Sequence, residues 1–253
     1  MYIDTHAHLN FKAFNADWEQ AISRAKENDI GAIINVGSNL ETSKKAIEIA
    51  KISENVFAAI GLHPIHVKDE SFNDDFLKLA EDKKVVAIGE TGLDYYYDKS
   101  TKELQKEIFE KHLNLANRLS KSIILHSRDA NEDILAVLMS HSPLPKGVMH
   151  CFAGDWPMAK ILLDMGLYIS FTGLITFTKN YETFEVIKNM SLERLLLETD
   201  CPYMTPELYR GKRNEPAFVV EVARKITEIK KISLEKVAEQ TSQNAKELFK
   251  LDL

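Results

Sequence analysis

Short apolar runs rich in β-branched residues alternate with longer helix-periodic runs along the whole chain of 253 residues. This alternation constrains the fold most, because runs that are apolar on both faces suit parallel strands covered by helices. Strands are predicted over residues 2–4, 32–36, 56–60, 85–88, 123–125, 147–149, 167–171 and 194–197. Helices are predicted over 17–28, 41–52, 74–82, 101–120, 155–164, 181–190, 215–231 and 233–250, with another that begins at Asp129. A capping box from Ser100 to Glu103 should start the fourth helix.

Eight strands that alternate with helices over about 250 residues match a closed (β/α)8 TIM barrel in both number and length. The helix over 233–250 is then an extra C-terminal helix. A doubly wound parallel sheet is the alternative, since local patterns do not establish that a sheet closes. Prolines and glycines occur singly and no low-complexity segment interrupts the pattern, so one domain is predicted over residues 1–253.

The charge and cysteine content narrow the functional classes. The chain has 32 basic and 38 acidic side chains, a net charge of −6, which argues against a general nucleic-acid coat but not against an enzyme acting on a strand end. Two cysteines indicate a reducing compartment rather than a disulfide framework. The first residues lack the pattern of a signal peptide, and no run approaches the ~20 apolar residues of a membrane helix. We therefore expect a cytoplasmic protein with no membrane contact and no obligate protein partner.

Six histidines and carboxylates fall where predicted strands end. Barrels of this type carry their chemistry at the carboxyl ends of the strands. The first two residues form a His-x-His pair, and side chains two residues apart in an extended chain point to the same side. Four imidazoles and two carboxylates suit zinc, manganese, nickel or iron better than calcium or magnesium alone, although magnesium stays among the candidates. The six residues are His6, His8, Glu90, His126, His150 and Asp200.

Each of these residues has an ordinary interpretation when it is taken alone. A single histidine at a strand end is usually a hydrogen-bonded surface residue, and Glu90 alone would be a solvated carboxylate. Six of them on one rim favour a metal centre. Because catalytic zinc sites use about three protein ligands, six could serve two ions bridged by Glu90. Asp200 is the best candidate to orient the attacking water and accept its proton, whereas Glu198 either assists or supports an imidazole.

Further basic residues on the same rim could contact a phosphate. His63 follows the third strand, and Arg128 lies two residues after one candidate ligand. The loop after the last strand adds Arg210, Lys212 and Arg213, whose charges could follow a nucleotide backbone. The alternatives are a structural turn for His63, a salt bridge to a neighbouring acid for Arg128, and a solvated loop.

Six motifs, in order along the chain, resemble the TatD family of metal-dependent hydrolases. They are DTHAHL at 4–9, GETGLDY at 89–95, HSR at 126–128, HCF at 150–152, ETDCPY at 198–203 and RGKRNEP at 210–216. The family is related to the amidohydrolase barrels, and its members are described as deoxyribonucleases, often 3′-to-5′ exonucleases. The resemblance implies that the six histidines and carboxylates named above are ligands of divalent metal ions and that DNA is the substrate.

Three functions remain open from the sequence. The first is a metal-dependent phosphodiesterase that shortens DNA as a 3′-to-5′ exonuclease. The second is hydrolysis of another bond at the same site, such as an aminoacyl-tRNA ester, a lactone or a cyclic amide. The basic 210–213 loop favours a phosphate-bearing substrate but does not separate DNA from RNA. The third is a non-catalytic metal-binding barrel, which is disfavoured because closed structural zinc sites are usually rich in cysteine.

Overall fold

The computed structural model describes residues 1–253 and confirms the predicted (β/α)8 TIM barrel. All eight strands are parallel, and each pairs with the next along the chain. The strands are β1 (Tyr2–Ala7), β2 (Ile30–Val36), β3 (Val56–Ile60), β4 (Val85–Asp94), β5 (Ser122–Arg128), β6 (Gly147–Met149), β7 (Tyr168–Phe171) and β8 (Leu195–Leu197).

Helices follow the strands and cover the outside of the barrel. They are α1 (Trp18–Glu27), α2 (Leu40–Ile52), α3 (Asp74–Ala80), α4 (Lys102–Leu119), α5 (Asn131–Ser140), α6 (Trp156–Asp164), α7 (Tyr181–Asn189), α8 (Val219–Lys230) and α9 (Leu234–Phe249). Their apolar faces and the outward side chains of the strands form one cluster of 55 buried residues. None of these helices combines the length and the apolar character that crossing a membrane requires.

A second apolar cluster of 14 buried residues fills the inside of the barrel. It takes alternate residues of a strand, such as Ala32, Ile34 and Val36 of β2, because neighbouring side chains on a strand point to opposite faces. Side chains from the end of α9 belong to the same cluster, so this helix closes the barrel at the amino ends of the strands. The members from α9 are Ala245, Leu248 and Phe249, and Leu251 joins them two residues after the helix ends.

Polar contacts hold α9 against that end. Asn244 donates hydrogen bonds to the carbonyls of Leu192 and Leu195, both at 2.8 Å. The hydroxyl of Ser122, at the start of β5, donates to the carbonyl of Leu248 at 2.5 Å. The predicted extra C-terminal helix is therefore present and acts as the floor of the barrel.

The barrel closes beyond the end of its last strand. The amide of Asp200 donates to the carbonyl of His6 at 2.8 Å, and the amide of His8 donates to the carbonyl of Cys201 at 2.9 Å. A single parallel bridge joins Ala7 to Cys201. This seam lies at the carboxyl ends of the strands, so closure itself brings the first candidate ligands beside the last one.

Strand β1 carries one extra residue near the seam. Asp4 and Ala7 pair with Ile33 and Asn35 of β2, so three steps along β1 match two steps along its neighbour. Such a bulge reverses which side chains face inward. It turns His6 into the barrel, although His6 lies three positions after Ile3, the interior residue of the same strand.

Strand β4 has the same irregularity. Ile88 and Thr91 pair with Ile123 and Leu125 of β5, again three steps against two. The bulge turns Glu90 into the barrel. Candidate ligands on β5 and after β6 need no bulge, because each follows an interior apolar residue by two positions.

The prediction that Glu90 ends the fourth strand is wrong, because β4 continues to Asp94. Gly89 has a φ of +128°, and a Cβ on this residue would lie 2.5 Å from the carbonyl oxygen of Ile124. The glycine lets the two backbones approach at the bulge, where the sequence pattern indicated a strand terminus.

The predicted starts of α4 and α5 are also wrong. Helix α4 follows Thr101, whose side chain makes no capping hydrogen bond, and Asp98 instead accepts from the amide of Ser100 in a preceding turn. Helix α5 follows Ala130, because Asp129 adopts a left-handed φ of +53°. Short-range capping patterns did not reveal these turns.

One buried histidine outside the rim stabilises the fold. In α4, His112 donates from Nδ1 to the carbonyl of Ile108 at 2.7 Å and accepts from the amide of Leu62 at 3.0 Å. Its ring stacks on Phe72, with the centroids 3.8 Å apart. Burial lowers the pKa of His112 to about 4, so the folded protein keeps this imidazole neutral.

Replacing His112 by glutamine should weaken the dependence of stability on pH. Between pH 6.5 and its folded pKa of about 4, His112 is protonated in the unfolded chain but not in the folded protein. Its contribution is therefore present above pH 6.5 and declines as the pH falls, by about 2 kcal/mol at pH 4.5. Urea unfolding of both proteins at pH 7 and 4.5, with chelator present, measures the difference. Equal losses of stability in the two proteins would contradict a buried neutral His112.

Candidate metal centre

The seam of the barrel brings three candidate ligands together. The Nε2 atoms of His6 and His8 are 3.2 Å apart, in agreement with the same-side prediction for the His-x-His pair. Oδ1 of Asp200 lies 3.3 Å from Nε2 of His8 and 3.8 Å from Nε2 of His6. The ligand atoms of these three buried residues all lie within 4.8 Å of one another, so they could hold one metal ion.

Glu90 lies between this group and a second one. Its Oε2 is 3.4 Å from Nε2 of His6, whereas its Oε1 is 2.7 Å from Nε2 of His150 and 2.8 Å from Nδ1 of His126. The two facing nitrogens of His126 and His150 are 3.2 Å apart. The carboxylate therefore connects two clusters of nitrogen atoms through its two oxygens, which is the arrangement of a bridging ligand.

The hydrogen bonds of the ring nitrogens that face away from the site show whether these residues suit metal ions. Nδ1 of His8 lies 2.7 Å from the carbonyl oxygen of Val36, which only accepts, so in the neutral ring Nε2 carries a lone pair that faces the site. Nε2 of His126 lies 3.1 Å from a carboxylate oxygen of Asp94, so a neutral ring with its proton on Nε2 directs its Nδ1 lone pair to Glu90. Without a metal ion, protons on these inner nitrogens supply hydrogen bonds to Asp200 and Glu90, and a bound cation would replace those protons. The residues present therefore fit divalent ions bound by nitrogen and oxygen.

The charges of the site keep its carboxylates ionised. Burial alone would raise the pKa of Glu90, but the charges of His150 and His63 and the hydrogen bonds from two imidazoles hold it well below its usual value. For Asp200, burial is likewise outweighed by the hydrogen bond from His8 and nearby imidazole charges, and its pKa is lowered. Both side chains can therefore present negative oxygen atoms to a cation at neutral pH.

Glu198 supports the centre from outside. It is 1% exposed, and its oxygens accept from the amide of Cys151 and the hydroxyl of Ser170, both at 2.7 Å. Its Oε1 also lies 3.4 Å from Nδ1 of His150. Strand β8 ends before this residue. Glu198 thus lies against the ring of His150 without a hydrogen bond to it, and the choice between its two predicted roles stays a prediction.

Asn214 anchors the loop that carries Asp200. This loop leaves the barrel wall directly after β8, and Asp200 takes a left-handed φ of +55°. The fully buried amide of Asn214 donates to the carbonyls of Thr199 and Tyr203 at 2.9 and 2.6 Å. Its oxygen accepts from the amide of Glu215 at 3.0 Å. The position of Asp200 thus depends on a residue that sequence reasoning missed.

His63 reaches the centre through a nitrogen that carries a proton. Its Nδ1 accepts from the amide of Ile65 at 3.2 Å, so the proton is on Nε2, 3.3 Å from Oε1 of Glu90. His63, Asp94 and His126 also have ligand atoms within 4.8 Å of one another. The ligand atoms of this third group are already in use, because Nε2 of His63 carries a proton and Asp94 is hydrogen-bonded to His126.

Arg128 lies on the rim against exposed aromatic rings. Its guanidinium carbon is 3.7 Å from the centroid of Tyr96 and 5.2 Å from that of Tyr97. These tyrosines are 57% and 68% exposed, and Tyr203 beyond Asp200 is 55% exposed. The salt bridge to a neighbouring acid, considered as the alternative for Arg128, does not form. Its planar charge therefore remains available.

The three cations of the 210–213 loop have different surroundings. Arg213 forms two hydrogen bonds with the carboxylate of Asp17, at 2.7 and 2.6 Å, so its charge is already paired. Arg210 lies over the ring of Phe177 at 4.2 Å, and Lys212 is 6.0 Å from the ring of Tyr209. The structure does not bring any of the three into the cluster around Glu90.

Asp94 is the second residue that sequence reasoning missed as part of the site. It lies within the quoted GETGLDY motif, on the same strand as Glu90 and four residues later. The even spacing could have revealed it, because two residues four positions apart on one strand point to the same side.

The chain matches known proteins over nearly its whole length. The family model described as TatD related DNase matches residues 3–250. The uncharacterised metal-dependent hydrolase YabD of Bacillus subtilis (strain 168) is 42% identical over 255 residues, which cover 100% of both chains. The uncharacterised metal-dependent hydrolase YcfH of Escherichia coli (strain K12) is 36% identical and covers 99% of this chain and 96% of its own. The crystal structure of the TatD homologue YJJV from E. coli K12 has a TM-score of 0.92 at 31% identity and covers 99% of this chain and 98% of that chain.

Replacing Asn214 by aspartate should displace Asp200 with little change in shape. The new side chain cannot donate, so its oxygens would face the carbonyls of Thr199 and Tyr203, and we expect a loss of about 2 kcal/mol in stability. Thermal unfolding and calorimetric titration with Mn²⁺ would measure the changes in stability and in ion affinity. Asn73→Asp is the matched control, because this exposed residue caps α3, where asparagine and aspartate are equally suitable. Unchanged ion binding in Asn214→Asp would contradict the anchoring role.

Proposed function

Because this chain belongs to the family of TatD-related DNases and is a metal-dependent hydrolase, we propose that it hydrolyses phosphodiester bonds at DNA ends as a 3′-to-5′ exonuclease. The observation that carries the proposal is the Glu90 carboxylate, which connects two buried groups of imidazole nitrogens on an open rim. Two-metal sites of this kind are common among nucleases and phosphatases. The family description and the rim around the site both support a nucleic-acid substrate.

The proposed ligands divide into two groups. His6, His8 and Asp200 would hold one divalent ion, and His126 and His150 would hold the other, with Glu90 bridging. When bound, two such ions lower the pKa of a coordinated water toward 7 and neutralise charge on the phosphate. The identity of the ions is left open among zinc, manganese, magnesium, nickel and iron.

Two residues of the centre would act on protons. Asp200 stays ionised beside the seam, so its carboxylate can orient the attacking water and accept its proton. His63 directs an N–H into the same cavity, so it can donate a hydrogen bond to a phosphate oxygen or to the departing sugar oxygen. The attack breaks the bond from phosphorus to that oxygen and releases a nucleotide.

The rim supports a nucleic acid rather than a small neutral ester or amide. The guanidinium of Arg128 is bound by no acid and suits a phosphate. Exposed tyrosines lie beside it, and a base stacked on such a ring contributes about 1–3 kcal/mol. The net charge of −6 disfavours wrapping along a duplex, so contact at a strand end fits the charge distribution better. Arg210 and Lys212 are proposed as outer phosphate contacts, and Arg213 as a support of their loop.

Digestion of end-labelled single-stranded DNA tests the proposed activity. The metal-loaded protein should shorten the strand stepwise from its 3′ end, and chelator should stop the reaction. Asp200→Asn should lower the rate by at least about 100-fold, because it removes a proton acceptor and a ligand charge. The same DNA with the label on its other end establishes the direction of digestion. No shortening by wild type with verified metal content would exclude this substrate class, and aminoacyl-tRNA esters and cyclic amides would be tested next.

Replacing Arg128 by alanine should weaken substrate binding more than it slows the chemical step. We expect KM for DNA to rise about tenfold, with a smaller change in kcat, because one charged phosphate contact contributes about 1–2 kcal/mol. The effect should shrink as salt is added. Arg194→Ala is a matched control, since this arginine also lies over a tyrosine ring, that of Tyr168, but precedes β8 at the opposite end of the barrel. Equal effects of the two substitutions would contradict the proposed contact.

A further inference from the structure

Asp94 is a buried carboxylate that the proposed mechanism does not yet use. It ends β4, is 3% exposed, and both of its oxygens accept hydrogen bonds. Oδ1 accepts from the amide of Tyr96 at 3.0 Å, and Oδ2 lies 3.1 Å from Nε2 of His126. An ionised carboxylate accepts hydrogen bonds but donates none, so this contact requires a proton on Nε2 of His126.

The backbone around Asp94 is itself held in place. Its amide donates to the side-chain oxygen of Gln105 at 2.8 Å, and the side-chain amide of Gln105 donates back to the carbonyl of Asp94 at 2.9 Å. The same amide also donates to the hydroxyl of Thr101 at 2.9 Å. Asp94 therefore has little freedom to follow the ring of His126, and the ring must conform to it.

The other histidines of the centre are supported differently. His8 is supported by a neutral backbone carbonyl, and Nδ1 of His6 has no hydrogen-bond partner although it is buried. Nδ1 of His150 lies 3.4 Å from Glu198 but makes no hydrogen bond. His126 alone combines a carboxylate with a close hydrogen bond, so the support of the four rings is unequal.

We infer that Asp94 is a positioning residue that keeps the proton of His126 on Nε2 and thereby directs its Nδ1 lone pair to the ion shared with Glu90 and His150. This inference rests on the proposed function, because it assumes that His126 is a ligand. Outer partners of metal-bound histidines commonly change ion affinity by about 10–100-fold when they are replaced. Asp94 should therefore set the occupancy of one ion while leaving the other, held by His6, His8 and Asp200, largely unchanged.

Asp94→Asn is the sharpest test, because asparagine has the same shape but only one accepting oxygen. If that oxygen stays on the amide of Tyr96, the new NH₂ group faces Nε2 of His126 and drives the proton to Nδ1. Long-range ¹H–¹⁵N NMR of the zinc-loaded proteins should report a proton on Nε2 and none on Nδ1 of His126 in wild type, and a proton on Nδ1 in the variant. Calorimetry with Mn²⁺ should show one of two ions bound about 10–100-fold more weakly.

Controls separate this role from a structural one. Asp98→Asn changes a half-buried carboxylate four residues away, paired with Lys68, and should leave both the tautomer and ion binding as in wild type. Asp94→Ala, which removes both accepting oxygens, should also weaken one ion, and circular dichroism checks folding. An Nδ1–H form of His126 in wild type, which needs no variant, would overturn the inference, as would wild-type ion affinity in Asp94→Asn. Neither readout uses DNA, so inactivity on DNA contradicts only the proposed function.

Discussion

The buried carboxylate of Asp4 joins the two ends of the sheet, and the site depends on this connection. Asp4 is fully buried on β1 and accepts from the amide and the hydroxyl of Thr199 at 2.9 and 2.6 Å. Strand β8 has already ended, so these side-chain hydrogen bonds replace part of the strand pairing that would otherwise close the barrel. The contact fixes the residue before Asp200 against the strand that carries His6. Together with the backbone hydrogen bonds of the seam, it holds the first and last candidate ligands side by side.

Bulges then convert a regular barrel into a converging set of ligands. A regular strand with an apolar residue inside would direct His6 and Glu90 outward, since each lies three positions after an interior residue. One extra residue in β1 and one in β4 correct this mismatch. The apolar interior and α9 lie below this rim, at the amino ends of the strands.

The alternation of runs predicted all eight strands and the closing helix, because parallel strands buried on both faces leave a strong local pattern. It also predicted the histidines on β5 and after β6, which follow interior residues at even spacing. The same alternation could not predict the hydrogen-bond partners of Asp94 and Arg213. His126 is 32 positions from Asp94, and Asp17 is 196 positions from Arg213, so neither hydrogen bond leaves a periodic signal. Only the tertiary structure reveals that one rim arginine is paired while Arg128 is not.

The charge balance of the buried centre fits the two ions that we propose. Four carboxylates lie in or against it, those of Glu90, Asp94, Glu198 and Asp200. Their partners within salt-bridge distance are five histidines, with no lysine or arginine among them. Buried charges are costly unless they are compensated. Two divalent cations would compensate more of this buried carboxylate cluster than a single ion would. Protonating the histidines could supply the same charge, but only by removing the lone pairs that Val36 and Asp94 direct into the site.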